Sequence, residues 1–354
     1  MLKQIDIITE DAETAKRMLK MMIGMLETRC KFCGSDNVVK NGKSRKGVQN
    51  WLCKDCRKAF VDNRALPRMK SPVDTVASAV YQYYAGSSLN QIRGHIEQQS
   101  GFRPSDSTIY HWVTRFSKVA VEEANKFKPK VGNTWVADET VLFIGSKKYW
   151  LWDIIDSDTR FLLATHLSLT RGTKDARQLM KLAYEKVGKA PKVILTDKLA
   201  SYLDGIELQF GSETKHIPSK PFTDVNSTNL IERFHGTLKD RTKVMRGMKT
   251  PESARLILDG WLTYYNFFRV HQSLKGETPA QAAGIRFIFK DWHDVVISQA
   301  PTAQTIKGKD DKMMVISADY EGSHILKRVH RRRIRRKQAM RMVNPTSSIV
   351  KGVK

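Results

Sequence analysis

Three carboxylates have the placing that metal-assisted phosphate chemistry needs. Asp138 sits inside the apolar, strand-like run WVADETVLFI, and Asp197 closes the run KVILTD. Glu232 lies in the helical pattern NLIERFHGTLK, with 34 residues between it and Asp197. An unpaired carboxylate in an apolar strand is costly. Acids on rigid neighbouring elements suit hard divalent cations. Two such ions, about 3.5–4 Å apart, exchange phosphodiesters without a covalent enzyme nucleophile. The three acids are thus candidate ligands for two Mg2+ (or Mn2+) ions per active site. Each also has a plainer reading. Asp197 would cap the helix that follows, Asp138 would be a bend or edge residue, and Glu232 an ordinary helix-surface acid. Glu139, Asp153, Asp156 and Asp158 are rivals in the same segment. Strand alternation turns Glu139 to the face opposite Asp138, and Asp156 and Asp158 read as turn residues.

The elements that must position these acids can be read from periodicity. Three β-rich runs, TWVADETVLFIG, KYWLWDIID and RFLLATHLSL, are joined by short polar turns and suit an antiparallel meander. A helix from Thr173 to about Lys186 follows, then the strand KVILTD, a helix from near Leu199 and a short strand over 214–218. A polar loop (219–228) leads into a helix over Asn229–Met245. Three strands, helix, strand, helix is the α/β order of a ribonuclease H-like core. On the last helix, at about 100° per residue, Asn229, Glu232, Gly236, Lys239 and Lys243 share an arc of about 80°. Ile231, Phe234 and Leu238 form an adjacent arc that can pack on a sheet. One face therefore offers an acid, a gap without a side chain, and two lysines suited to DNA phosphates. A further amphipathic helix spans Pro251–Phe268, and Thr278-Pro279 starts a short one. His271 reads as structural, with substrate contact the alternative.

All four cysteines fall between Cys30 and Cys56, as C-x2-C, 19 residues, C-x2-C. Clustered thiols of this spacing argue for one structural Zn2+ held by Cys30, Cys33, Cys53 and Cys56 in a closed tetrahedral site. Apolar segments between the knuckles complete a zinc ribbon. Its Lys40, Lys43, Arg45, Lys46, Lys54, Arg57 and Lys58 suit phosphate contact or a solvated basic face. Next come three helical segments, Pro72–Tyr84, Leu89–Gln99 and one capped by Ser105 or Asp106, separated by glycines. This is a helix-turn-helix layout, with a plain three-helix bundle as the alternative. In the former, Ser107, Thr108, Tyr110, His111 and Arg115 lead into the major groove.

The chain has 61 Lys and Arg against 36 Asp and Glu, a net charge of +25, with pI near 9.9. Such a field favours a polyanion. The basic stretch HRRRIRRK, with Arg331, Arg332 and Arg333, lies in a segment from Gly322 to Lys354 that holds eleven Lys or Arg and no acid. It suits nonspecific backbone contact. No 18-residue apolar run occurs and no signal peptide is legible, so the expected setting is cytoplasmic and nucleoid-associated, without a membrane partner. The expected organisation is an N-terminal helix (1–29), zinc ribbon (30–62), helix-turn-helix DNA-binding domain (70–128), ribonuclease H-like catalytic domain (132–285) and C-terminal extension with basic tail (286–354). In that extension residues 286–320 have no decisive pattern, and DVVISQA and MMVISA are the candidate strands.

These pieces together resemble the DDE transposases of insertion sequences, in particular the group with 34 residues between the last two acids. The likeness rests on WVADET and its tryptophan-rich neighbour, ILTDK, N-x-x-E-R-F-H, and Lys239 seven residues beyond Glu232. The ribbon and the STIYHW helix resemble that group's DNA-binding front end, and YYNFFRVHQSLKGETPAQAAG is similar to the tail of integrase-like domains. The resemblance covers roughly residues 28–285. It implies Asp138, Asp197 and Glu232 as catalytic metal ligands and Lys239 as a DNA contact. It also implies terminal inverted repeats and target DNA as partners, metal-dependent strand cleavage and transfer as the activity, and a homodimer or larger synapse as the assembly. A DNA-binding regulator derived from a transposase, and a nuclease of the same fold without strand transfer, are the rival expectations.

Overall fold

The computed structural model describes residues 28–218, 228–244 and 248–300. The expected N-terminal helix lies almost wholly outside these residues. So do most of the 219–228 loop, the MMVISA segment and the basic tail with Arg331, Arg332 and Arg333.

The first described unit is a small antiparallel sheet of β1 (Val38–Lys43), β2 (Gln49–Cys53) and β3 (Ala59–Val61), in that spatial order. Cys30, Cys33, Cys53 and Phe60 form its core, edged by Phe32 and Trp51. So small a core is marginal alone and calls for a metal staple.

Three helices follow: α1 (Val73–Ala85), α2 (Leu89–Ser100) and α3 (Asp106–Ala124). Their ends follow from local chemistry. Gly86 and Gly101 take the left-handed conformation that closes α1 and α2. Ser88 forms a capping box with Gln91, and the Ser105 side chain accepts from the Thr108 N–H.

The core sheet is built from β4 (Thr134–Ile144), β5 (Lys147–Asp156), β6 (Leu162–Ser168), β7 (Val193–Thr196) and β8 (Lys215–Pro218). Their spatial order is β6-β5-β4-β7-β8. The first three run antiparallel, whereas β7 and β8 run parallel to β4. With α4 (Thr173–Val187), α5 (Ala200–Phe210) and α6 (Asn229–Lys243), this is the ribonuclease H-like α/β arrangement. Because β4 is central, both of its faces are covered, and its residues alternate between two cores. Trp135 and Ala137 pack with Leu179, Met180, Tyr202 and Ile206 of α4 and α5. Val136 packs on the other side with Ile231, Phe234 and Leu238 of α6.

That second core also joins the helical segment to the five-stranded sheet and its helices. The buried face of α3 (Trp112, Val113, Phe116, Ala120) shares it with Ile257, Leu258 and Trp261 of α7 (Pro251–Thr263). Helix α7 continues as one wider π-helical turn, Tyr264–Phe268. Gly260 of α7 faces the Tyr84 hydroxyl so closely that a β-carbon would overlap it. The short α8 (Pro279–Ala282) opens with a Thr278 cap and Pro279.

The segment DVVISQA corrects the expectation of a strand. Its first four residues lie in helix α9 (Trp292–Ile297), capped by the Asp291 side chain, and the rest turn away beyond the helix end. Trp292, Val295 and Val296, at i, i+3 and i+4, are buried, and Trp292 stacks on Tyr84 at 5.5 Å. Tertiary packing of this stripe overrides the β-preference of its valines.

Candidate active site

The sheet places the acids before their side chains are considered. Strands β4 and β7 run parallel, with Trp135 opposite Ile194 and Val136 opposite Leu195. Asp138 and Asp197 each lie two residues further on, so they emerge at the same edge. Across the antiparallel pair, Asp138 faces Asp153 of β5. Glu232 comes from the first turn of α6, on the same side of the sheet as Asp138.

Two groups of possible ligand atoms result, each within 4.8 Å: Asp138, Glu232 and His235, and Asp138, Glu139 and Asp197. Asp138 belongs to both. Glu139 does leave β4 on the opposite face, where its oxygens accept from the Tyr202 hydroxyl at 2.8 Å and from Arg171. Yet its carboxylate still reaches the same edge, so facing away does not remove it from the site. Asp156, in contrast, accepts from the Thr159 N–H and hydroxyl and shapes the turn.

Sequence reasoning did not single out His235. It is 2% exposed, with Nε2 3.0 Å from Asp153 Oδ2 and Nδ1 3.5 Å from Asp138 Oδ2. Asp153 itself is 0% exposed. The signal was its position three residues after Glu232, a polar ring beside the apolar arc of Phe234 and Leu238. Arg171 was also missed. It donates to Glu139 and lies 3.7 Å from Asp197, and its guanidinium covers the Trp150 ring at 4.7 Å. It stands in a loop, where no periodicity marks it.

The electrostatics are those of crowded acids. Burial pushes the Asp197 carboxyl upward, and the Asp138 charge adds to this against the Leu199 N–H and Arg171. Burial and Asp138 likewise raise Glu232, while His235 and Lys239 oppose. Burial alone would lower His235, but the two aspartates bring it to about 9. At neutral pH it is an imidazolium between carboxylates. The donor chemistry fits a hard cation, because both groups are rich in carboxylate oxygen. His235 fits better as an orienter of Asp138, since its Nε2 is already engaged by Asp153.

Beyond Glu232, Gly236 is exposed and open, with no atom within 4 Å of where a β-carbon would stand. Lys239 is exposed further along α6, and exposed Lys243 stands 3.7 Å from Asp240. Ser107 and His111 are exposed on α3 and Tyr110 is half-buried. All three line a cleft between the helical segment and α6–α7. Thr108 is half-buried, its hydroxyl bonded to Ser105, and Arg115 lies against the Phe116 ring. His271 is half-buried with its ring edge-on to Tyr265 at 4.8 Å.

In the small sheet, all four sulfurs lie within 4.8 Å of one another. Cys30 and Cys56 sulfurs are 3.6 Å apart, and those of Cys33 and Cys53 are 3.5 Å apart. A tetrahedral ion with bonds of about 2.3 Å sets sulfurs about 3.8 Å apart. The cluster is therefore compatible with zinc. The seven basic residues of the ribbon are all exposed.

Among the described residues, no helix is long and apolar enough to cross a membrane. Residues 132–271 match a family described as a DDE domain, of the IS240 transposase type. An uncharacterised Methanocaldococcus jannaschii protein is 22% identical over 187 residues, covering 53% of this chain and 81% of its own. The Staphylococcus aureus transposase of the insertion sequence-like element IS431mec is 24% identical over 215 residues, covering 60% and 93%. The transposase of IS257 in transposon Tn4003, also from Staphylococcus aureus, is 26% identical over 216 residues, again covering 60% and 93%. Among solved structures, the HTLV-2 integrase catalytic core domain aligns with a TM-score of 0.35 and 19% identity, over 44% of this chain and 99% of that one. Residues 132–271 thus carry a DDE domain similar to that of insertion-sequence transposases, which are polynucleotidyl transferases acting on DNA.

Proposed function

We propose that this transposase binds the terminal inverted repeats of its element, cleaves a strand at each end to free a 3′-hydroxyl, and joins that end to target DNA. Asp138, Asp197 and Glu232 are the catalytic acids in this reading. The observation that carries it is the pair of three-ligand groups that share Asp138. A carboxylate common to both, with Asp197 on one side and Glu232 on the other, suits two Mg2+ (or Mn2+) ions. Such a pair supplies Lewis acidity at the attacking and leaving oxygens of a phosphodiester.

The chain's own residues do the rest. The Leu199 N–H holds Asp197 Oδ1 at 2.9 Å, which leaves its other oxygen for the site. His235 fixes Asp138 against Asp153. Open space at Gly236 admits a DNA strand end, and Lys239 and Lys243 meet its phosphates. Ser107, Thr108, Tyr110, His111 and Arg115 of α3 face the major groove, Thr108 and Arg115 with the least freedom. Cys30, Cys33, Cys53 and Cys56 hold one structural Zn2+ that fixes a basic ribbon against the backbone. Arg331, Arg332 and Arg333 add nonspecific contact. Two ends must be handled together, so the working form is a homodimer or larger synapse on nucleoid DNA.

Asp197→Ala tests the reading with a terminal-repeat substrate in Mg2+. Strand cleavage should fall to background while binding of the repeat persists. Retained cleavage would remove Asp197 from the mechanism.

A further inference from the structure

The helical segment and the core enclose a cleft of about 1160 Å3. Three helix N-termini open into it. Ser88 caps α2, Ser107 stands in the first turn of α3, and Thr250 caps α7. Their caps already take the Gln91, Thr108 and Ser253 N–H groups and Pro251 has none, so what each end brings is chiefly the positive end of a helix dipole, which attracts anions. Among the described residues lining the cleft, the one carboxylate is Asp106, and Arg93 neutralises it at 2.8 Å.

Arg241 of α6 also lines this cleft and is 3% exposed. Its guanidinium lies over the Tyr83 ring, 3.7 Å from the centroid. Among the described residues no carboxylate pairs with it, and its side chain interacts with the Tyr83 hydroxyl instead. Its polar neighbours are the Tyr83 and Tyr84 phenols, which burial keeps neutral by raising both. A buried cation with no counter-charge is costly, so buried charges are normally paired. Here an anion in the cleft would complete the pair.

We propose that this cleft binds phosphate groups of a nucleic-acid backbone, held by Arg241 and the three converging helix N-termini. The inference rests on the DNA-binding reading above and adds a path to it. A duplex read by Ser107 and His111 runs one backbone along the cleft, and α6 ties that backbone to the acid site. From Arg241 to Glu232 is nine residues, about 14 Å of helix. Occupancy of the cleft would therefore set the position of Glu232.

The test compares full-length wild type with Arg241→Met by fluorescence anisotropy on a labelled terminal-repeat duplex, at salt from about 50 to 200 mM. The slope of log affinity against log salt should lose about 1, while the melting temperature holds or rises. Should Arg241→Met not fold, the same loss of slope is required of Lys249→Gln, an exposed residue lining the cleft. An unchanged slope in a folded variant overturns the cleft site and leaves the DNA-binding reading intact. Wild type that binds no duplex overturns both. A second arm titrates inorganic phosphate against the melting temperature. If Arg241→Met abolishes a phosphate-induced rise but leaves the duplex slope unchanged, the site takes free phosphate, and the nucleic-acid proposal fails.

Discussion

The two ends of α6 hold opposite charges that the protein leaves incompletely matched. Near its start, Glu232 joins Asp138, Glu139, Asp153 and Asp197, against which stand Arg171 and His235. Near its end, Arg241 is buried against two neutral phenols. Ordinary folding would avoid both. The first asks for a cation and the second for an anion, so one rigid rod spans the two requirements of metal-assisted DNA chemistry. The difference lies in how far each charge is already answered. The acids have an internal imidazolium that neutralises part of their charge, whereas Arg241 has no such partner among the described residues.

The largest expected effect comes from removing the shared acid. Asp138→Asn should bring strand cleavage to background in a Mg2+ assay, because both ligand groups lose a member. It should not unfold the chain. Taking one negative charge from a crowded cluster relieves repulsion, so the melting temperature in chelator should hold or rise. A large fall in that temperature would mean the acids are a structural ion-pair network, and the comparison would break at its negative end.

A second, smaller effect tests the internal answer to the acids. His235→Asn removes the positive ring between Asp138 and Asp153. Losing a partner that orients a metal-binding carboxylate typically costs 10–100-fold in affinity or activity, on the order of 1.4–2.7 kcal/mol. Calorimetric titration with Mn2+ reads this without relying on cleavage. Unchanged Mn2+ affinity would make His235 a satisfied core residue and nothing more.

Local chemistry made the acid end of α6 largely readable in advance, and tertiary packing hid most of the rest. Asp138 stood out as a charge in an apolar strand, and Glu232 as an acid on the same face as two lysines. That β4 and β7 are neighbours is a fact of topology, and it alone brings Asp138 and Asp197 to one edge. Glu139 was set aside by strand alternation, which describes its direction but not the reach of its side chain. Arg241 left a faint trace. It falls on the apolar arc of α6, seven residues after Phe234, where an arginine has no reason to be unless it is used. Its burial depends on α1, whose Tyr83 closes over it, and no pattern in α6 reveals that. The DVVISQA segment misled because its valines suit a strand, while the tyrosine and tryptophan stack that makes it a helix spans residues two hundred positions apart in sequence.

The smallest effect concerns the rim between the two ends. Lys243 is exposed and pairs with Asp240 at 3.7 Å, a surface pair worth only about 0–1 kcal/mol. Lys243→Gln should therefore leave stability within about 0.5 kcal/mol in denaturant unfolding. Its effect should appear in DNA binding, as a loss of about 1 from the salt slope without a change in sequence preference. Arg241→Met and Lys243→Gln then separate two kinds of phosphate contact on one helix. Both should lower the slope, but only at the buried residue should removing the charge raise the melting temperature, because only there is a desolvated cation relieved. If both variants leave stability equally untouched, the Arg241 charge is not held at a cost to the fold, and the contrast between the ends of α6 narrows to one of sign.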